Sequence, residues 1–296
     1  MHFKHSMSIF STHLTLLYKV LLFIFVVFII ASAIFVSIFN PLVQGVKEAL
    51  VLEGYKFSVR EILDKPVESL TQIRKTVSDF LSAHPNLILS RVMFLILLVV
   101  FTRFFISLSY VPVTKVIYDK MTAGYSGGLF SRLVDSLLQT MGYAFFSSLI
   151  NTALDIGIFT LSLYVFSLFY KVISVAALPI GVTLALTLYS LRISLFSQWL
   201  PLICDGNKNI FKALVLNFKK AAKCLKYHFP MTLTVTILYL GVLTTTAIST
   251  FGLLPIMAFP MYIILICIFN LVSYFNLNNR KYYTDNGVSV YTPKEQ

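Results

Sequence analysis

At 296 residues the chain is long enough to bury a large soluble core, but 57% of it is apolar and only 12% is charged, against about a quarter charged in an ordinary soluble domain. The net charge of +12 would suit nucleic acid, yet the cations stand beside hydrophobic runs instead of gathering on a basic domain. Anionic lipid headgroups are therefore the expected partner, and nucleic acid is not. Three cysteines, Cys204, Cys224 and Cys267, form neither an even disulfide set nor a metal framework, which fits a reduced, cytoplasm-facing setting.

The first apolar run covers 18–39 and carries no charge from Val20 to Phe39. Twenty helical residues rise roughly 30 Å, the thickness of a hydrocarbon layer. Ala31-Ser32-Ala33 imitates a signal-peptidase site, but the apolar run continues through Ile34 to Phe39, so an uncleaved first span is expected. The loop 40–87 follows, its cations balanced by acids. Within it Leu63, Val67, Leu70, Ile73, Val77 and Phe80 trace one face of a helix over 63–81, with Pro66 in its first turn and His84-Pro85 at its end. That stripe needs a cover: the outer ends of the spans, the lipid interface or a partner protein.

Five further spans are expected over 88–111, 143–170, 172–200, 230–250 and 252–275, the last two joined by a tight hairpin. Runs of this length satisfy their backbone in lipid only as helices, so the fold class is all-α, a six-span transmembrane bundle in one integral membrane domain. The Lys/Arg bias puts both termini in the cytoplasm, including the tail 276–296, and puts loop 40–87 outside.

A parallel internal repeat is expected. Arg103-Phe-Phe-Ile-Ser-Leu-Ser-Tyr-Val-Pro112 aligns without gaps with Arg192-Ile-Ser-Leu-Phe-Ser-Gln-Trp-Leu-Pro201, and Phe130, Leu133, Val134 and Leu137 match Phe211, Leu214, Val215 and Phe218. Each copy reads as a span entering the cytoplasm, an amphipathic interfacial helix (129–141 or 209–227) and a span returning. In the second, Lys208, Lys212, Lys219, Lys220, Lys223 and Lys226 offer headgroup contacts opposite a face of Ile210, Phe211, Leu214, Phe218, Ala221, Ala222 and Leu225. Each lysine is worth on the order of 1 kcal/mol beside an acidic leaflet.

Charged residues inside spans are costly and need a partner or an escape to the interface. Arg103 and Arg192 lie two to three turns from their prolines, where snorkelling to the headgroups is the plainer reading. The alternative pairs either one with Asp155, the acid deep in the third span, with Asn151 on the same face. Such a pair is a structural clamp or part of a substrate or proton path, and the clamp is the plainer of the two.

No phosphate-binding P-loop, HExxH, Cys-x-x-Cys or Gly-x-Ser-x-Gly motif is present. The histidines at 2, 5, 13, 84 and 228 are scattered, and the Gly-rich segment 124–128 has no strand before it. No catalytic residue, metal site or cofactor is expected, and no enzymatic activity. Pro201, Asp205 and a helix opening with Ala213-Leu214 resemble a segment of bacterial multi-pass membrane proteins, among them the membrane region attached to some glycerophosphodiester phosphodiesterases. The resemblance covers about the last third of the chain. Asn217 stands where that family often has Ser, and the phosphodiesterase domain is missing, so the resemblance implies a bacterial cytoplasmic-membrane protein and no catalytic residue. The expected function is that of a lipid-engaging accessory or scaffold protein. The alternative is a transporter or permease subunit with a path at Asp155, Arg103 and Arg192.

Overall fold

In the computed structural model, residues 2–52, 75–80, 82–124, 127–207, 209–250, 253–284 and 290–291 are described, and nearly all of them are helical. The helices are α1 (His2–Ser11), α2 (Leu14–Leu52), α3 (Pro85–Ser107), α4 (Tyr110–Ala123), α5 (Leu129–Asp135) and α6 (Leu137–Val172). They continue with α7 (Ser174–Leu195), α8 (Trp199–Cys204), α9 (Ile210–Thr250) and α10 (Leu253–Leu277). Strands β1 (Tyr282–Tyr283) and β2 (Val290–Tyr291) close the chain as an antiparallel pair, Tyr282 opposite Tyr291. Among the described residues six helical segments are long and apolar enough to cross a membrane, beginning at Leu14, Pro85, Leu137, Ser174, Ile210 and Ala258. The chain is thus an all-α multi-span protein.

Several boundaries differ from the periodicity. Helix α2 does not stop at 39 but runs through Asn40 and Pro41 to Leu52, because no residue there demands a turn. The external helix expected over 63–81 lies mostly outside the described residues, of which 75–80 is helical. The amphipathic stretch 129–141 is two pieces, since Ser136 (φ −123°) breaks the helix between α5 and α6. The stretch 209–227 is no separate interfacial helix. It is the first half of α9, continuous with the fifth span through Pro230. Nothing in Tyr227-His228-Phe229 stops a helix, and Pro230 removes only one donor.

The chain divides into two compact units, one of Met1–Val26 with Arg103–Gln296 and the other of Val27–Thr102. In the first, α10 is the central element. Of its most apolar stretch 72% is buried, against 11–22% in the other five spans. Ile263, Ile264, Cys267, Ile268, Phe269, Leu271 and Val272 are all buried, so this helix is apolar all round because it is covered all round. Helices α9, α1, α4 and α8 pack on it, and α7 bridges α9 to α6. Helices α6 and α7 form a tight antiparallel hairpin turning at Ile173, with Gly181 so close to Phe166 that a Cβ would sit 3.2 Å from it. The chain ends meet: Ser8 Oγ donates to the Thr284 carbonyl at 3.3 Å, and the His5 ring packs edge-on against Tyr282. In the second unit Gly45 lies against the Phe80 ring, where a Cβ would come within 2.8 Å.

Candidate functional site: two arginines, one aspartate and a polar cavity

The site is built on two helix breaks. Helix α3 ends at Ser107 and α4 starts at Tyr110, while α7 ends at Leu195 and α8 starts at Trp199. Pro112 and Pro201 sit in the first turns of α4 and α8, where a missing N–H costs nothing. The first break is satisfied locally, with Ser109 Oγ donating to the Ile106 carbonyl at 2.7 Å. The second is closed by Asn217 of α9. Its Oδ1 accepts from the Gln198 amide at 2.9 Å and its Nδ2 donates to the Leu195 carbonyl at 2.8 Å.

Just before each break stands an arginine, and both converge on Asp155 of α6. Arg103 donates to one carboxylate oxygen and Arg192 to the other. Neither arginine needs to snorkel, because each has found its counter-charge. Arg192 also donates to the Asn151 carbonyl at 3.3 Å and lies over the Tyr189 ring at 4.4 Å. The Asn151 side chain turns away, its Nδ2 donating to Ser147 Oγ at 2.9 Å. Of the three charged side chains Arg192 is the most buried, 10% exposed against 32% for Arg103 and 20% for Asp155. Just after each break stands an aromatic residue, and both pack on Tyr143, three turns before Asp155 on α6. Tyr110 is 6.4 Å from it and Trp199 4.8 Å, both edge-on. One helix therefore receives an arginine and an aromatic ring from each of the two broken segments.

Beside the cluster is a cavity of about 220 Å³. Both arginines line it, with Ser147, Ser148 and Asn151 of α6, the tyrosines at 110, 143, 189 and 262, and Asn270 of α10. Asp155 does not line it, so the walls present the arginines and not their counter-ion. Two positive charges against one negative leave the cluster at +1.

Behind Asn270 runs a buried polar network that sequence reasoning passed over. His228 Nε2 meets Asn270 Oδ1 at 3.0 Å, and His228 Nδ1 meets Thr232 Oγ1 at 2.9 Å and Ser194 Oγ at 3.3 Å. Gln198 Nε2 lies 3.5 Å from both Cys224 Sγ and Ser273 Oγ. The signal was in the chain: His228, Thr232 and Thr236 recur every four residues along α9 and form one buried stripe. Thr236 reaches Tyr262 Oη at 3.3 Å, which brings the stripe back to the cavity. Thr244 binds its own helix instead, donating to the Leu240 carbonyl at 2.9 Å.

A second charged cluster lies just after α8. Tyr118 Oη donates to Asp205 Oδ1 at 2.7 Å, Tyr274 Oη to Oδ2 at 2.5 Å, and Arg280 Nη1 to Oδ1 at 2.5 Å. Burial alone would push the Asp205 carboxyl up. The hydrogen bonds from Arg280, Tyr118 and Tyr274, with the charge of Arg280, outweigh it and hold the carboxyl below its ordinary value.

The lysines of α9 divide. Lys208 lies outside the described residues. Lys212, Lys219, Lys223 and Lys226 are exposed, whereas Lys220 is partly buried, donates to Asn278 Oδ1 at 3.0 Å and lies over the Tyr274 ring. The stripe packed into the bundle is Ala213, Leu214, Asn217, Ala221, Cys224 and His228, while Phe211, Val215 and Phe218 of the expected apolar face and its flank are exposed. Among the described residues no three of His, Cys, Asp and Glu come close enough to hold a metal ion.

These features define a multi-span helical membrane protein with a charged, cavity-lining cluster carried by its spans. No family model matches the chain, and no curated protein or solved structure matches it either.

Proposed function

We propose that this protein is a carrier or permease component of the cytoplasmic membrane, without chemistry of its own, that takes a small solute into the cavity beside Arg103, Asp155 and Arg192. The observation carrying this reading is that a largely apolar cavity wall carries two arginines, Asn151, Asn270 and several hydroxyls, which lipid-facing packing does not need. Asp155 is 17 residues from the end of α6 at Val172, and Arg192 is 18 residues into α7 from Ser174. With the α6–α7 turn at the outer boundary, a rise of about 1.5 Å per residue sets the cluster roughly 26 Å down, near the inner boundary of a layer about 30 Å thick, where a cavity opens readily to the cytoplasmic side.

The contact between the chain ends supports placing both on one side, and the Lys/Arg bias supports the cytoplasm as that side. The paired contacts on α6 support reading the two broken segments as a parallel duplication around one shared helix. The resemblance over 199–230 adds the bacterial setting. The test is flux in proteoliposomes loaded with a panel of small organic solutes. Uptake of at least one is expected, with Asp155→Asn reducing it more than tenfold while the protein stays monodisperse. Uptake unchanged in that variant removes the cluster from the path.

A second reading, a lipid-engaging accessory protein, is favoured by the exposed lysines at 212, 219, 223 and 226. The continuity of α9 counts against it, because a helix prolonging a span does not lie flat in a leaflet. Flotation with phosphatidylglycerol vesicles decides. Changing those four lysines to Gln leaves vesicle composition preference unaltered in the carrier reading and abolishes it in the accessory reading.

A further inference from the structure

We propose that the cavity binds a monoanionic group, a carboxylate or singly charged phosphate attached to a small body with an aromatic or apolar part. The inference rests on reading the cavity as a solute site, and it names what that site selects.

Charge comes first. Arg103 and Arg192 share one carboxylate, and that carboxylate is held outside the cavity lining while both guanidinium groups form part of it. The uncompensated charge is +1, and a single negative charge makes the site neutral. A dianion would leave the site negative by one, and a cation would meet only the arginines.

Part of the lining is aromatic, with Phe196, Phe259 and Tyr262. The space, about 220 Å³, is enough for a small carboxylate with a ring or short chain. Lipid headgroups and free metabolites both offer such an anion, and the experiment separates them.

The chain carries its own reporter. Trp199 is its one tryptophan, and it packs on Tyr143 and Phe196, both of which line the cavity. The full-length protein in an uncharged detergent is titrated with benzoate, benzylamine and dihexanoylphosphatidylglycerol, reading Trp199 emission and thermal stability together. Benzoate is expected to change the emission and raise the Tm, while benzylamine, of similar shape and opposite charge, does neither. Arg103→Gln is expected to weaken benzoate at least tenfold, and Arg103→Lys severalfold, since a lysine keeps the charge and loses the planar fork that engages Asp155 and a ligand together. If Arg103→Gln does not fold, Arg103→Lys carries the comparison. No response to either anion, equal responses to benzoate and benzylamine, or wild-type affinity in both variants overturns the proposal. Tenfold tighter binding of the short-chain lipid than of benzoate assigns the anion to a headgroup, and the reverse assigns it to a free solute. Flux is scored separately. Binding without flux keeps the anion site and removes the carrier reading, whereas flux of neutral solutes with no anion response does the opposite.

Discussion

Asp155 and Asp205 are both aspartates held by arginine, the first within a helix and the second just after one, and their surroundings differ in one respect that matters. Asp205 has one arginine and two tyrosine hydroxyls. Its negative charge is met by one positive charge, and its oxygens are filled by neutral donors. Asp155 has two arginines, so its donors are charged and in surplus. The first arrangement is closed: it ties α4, α8 and α10 to the chain's tail and asks for nothing more. The second is open, and it lies beside a cavity. A structural clamp and a ligand site can thus be told apart by whether the charges sum to zero, even where both show short, well-formed hydrogen bonds.

The comparison is broken most directly at the arginines. Arg192 is 10% exposed and Arg280 is 45% exposed. Removing Arg192 leaves Asp155 paired with Arg103 but takes away a buried charge-assisted hydrogen bond, worth about 2 kcal/mol, whereas an exposed pair is worth about 1 kcal/mol or less. Arg192→Ala is therefore expected to lower the Tm in detergent more than Arg280→Ala. Equal shifts would mean that the Asp155 cluster is as well hydrated as the Asp205 cluster, and the distinction between them would go.

Next in size is the pH dependence of the Asp205 cluster. Its carboxyl is held below its ordinary value in the folded protein, so the stability it contributes is present above the unfolded carboxylate pKa, about 3.9, and is lost as the pH falls through the lowered value. Hydrogen bonds to a charged group contribute about 2 kcal/mol. Asp205→Asn should thus be less stable than wild type by a constant margin from pH 7 to pH 5. The gap should close below about pH 4. A gap that stays constant to pH 3 would show that shape, and not charge, makes the contact.

The six apolar helices were legible because long runs with at most one or two charges have one solution in lipid. The arginines at 103 and 192 and the acid at 155 were legible as candidates for the same reason, since each is expensive where it stands. What the sequence left open was whether one arginine or both would reach Asp155, because that depends on how the broken helices pack around α6. The network at His228 was missed because polar residues spaced four apart look like ordinary packing until Asn270 and Ser194 are placed beside them. The interfacial helix expected over 209–227 failed for a simple reason: a lysine-lined face fits a helix in a leaflet and a helix prolonging a span equally well, and the chain has no breaker between them. Asp205 entered the sequence reading only as part of a resemblance. Its partners lie 69 to 87 residues away along the chain, beyond any local pattern.

The smallest expected effect is the sharpest test of the closed cluster. Tyr118→Phe removes one hydroxyl and keeps the ring, which stacks on Phe275 at 5.5 Å, so packing survives and only the donor to Asp205 is lost. One hydrogen bond to a carboxylate that keeps two other donors is worth about 1 kcal/mol. The same change moves the carboxyl back toward its ordinary value, because one of the bonds favouring its charged form has gone. The acid limb of the stability profile is then expected to begin at higher pH than in wild type, with the neutral-pH margin small. If Tyr118→Phe lowers the Tm at pH 7 but leaves the acid limb where it was, the hydroxyl packs against Asp205 without holding its charge. Closure would then rest on Arg280 and Tyr274 alone. A shifted limb with a nearly unchanged Tm at pH 7 is the outcome that a saturated, charge-balanced cluster requires.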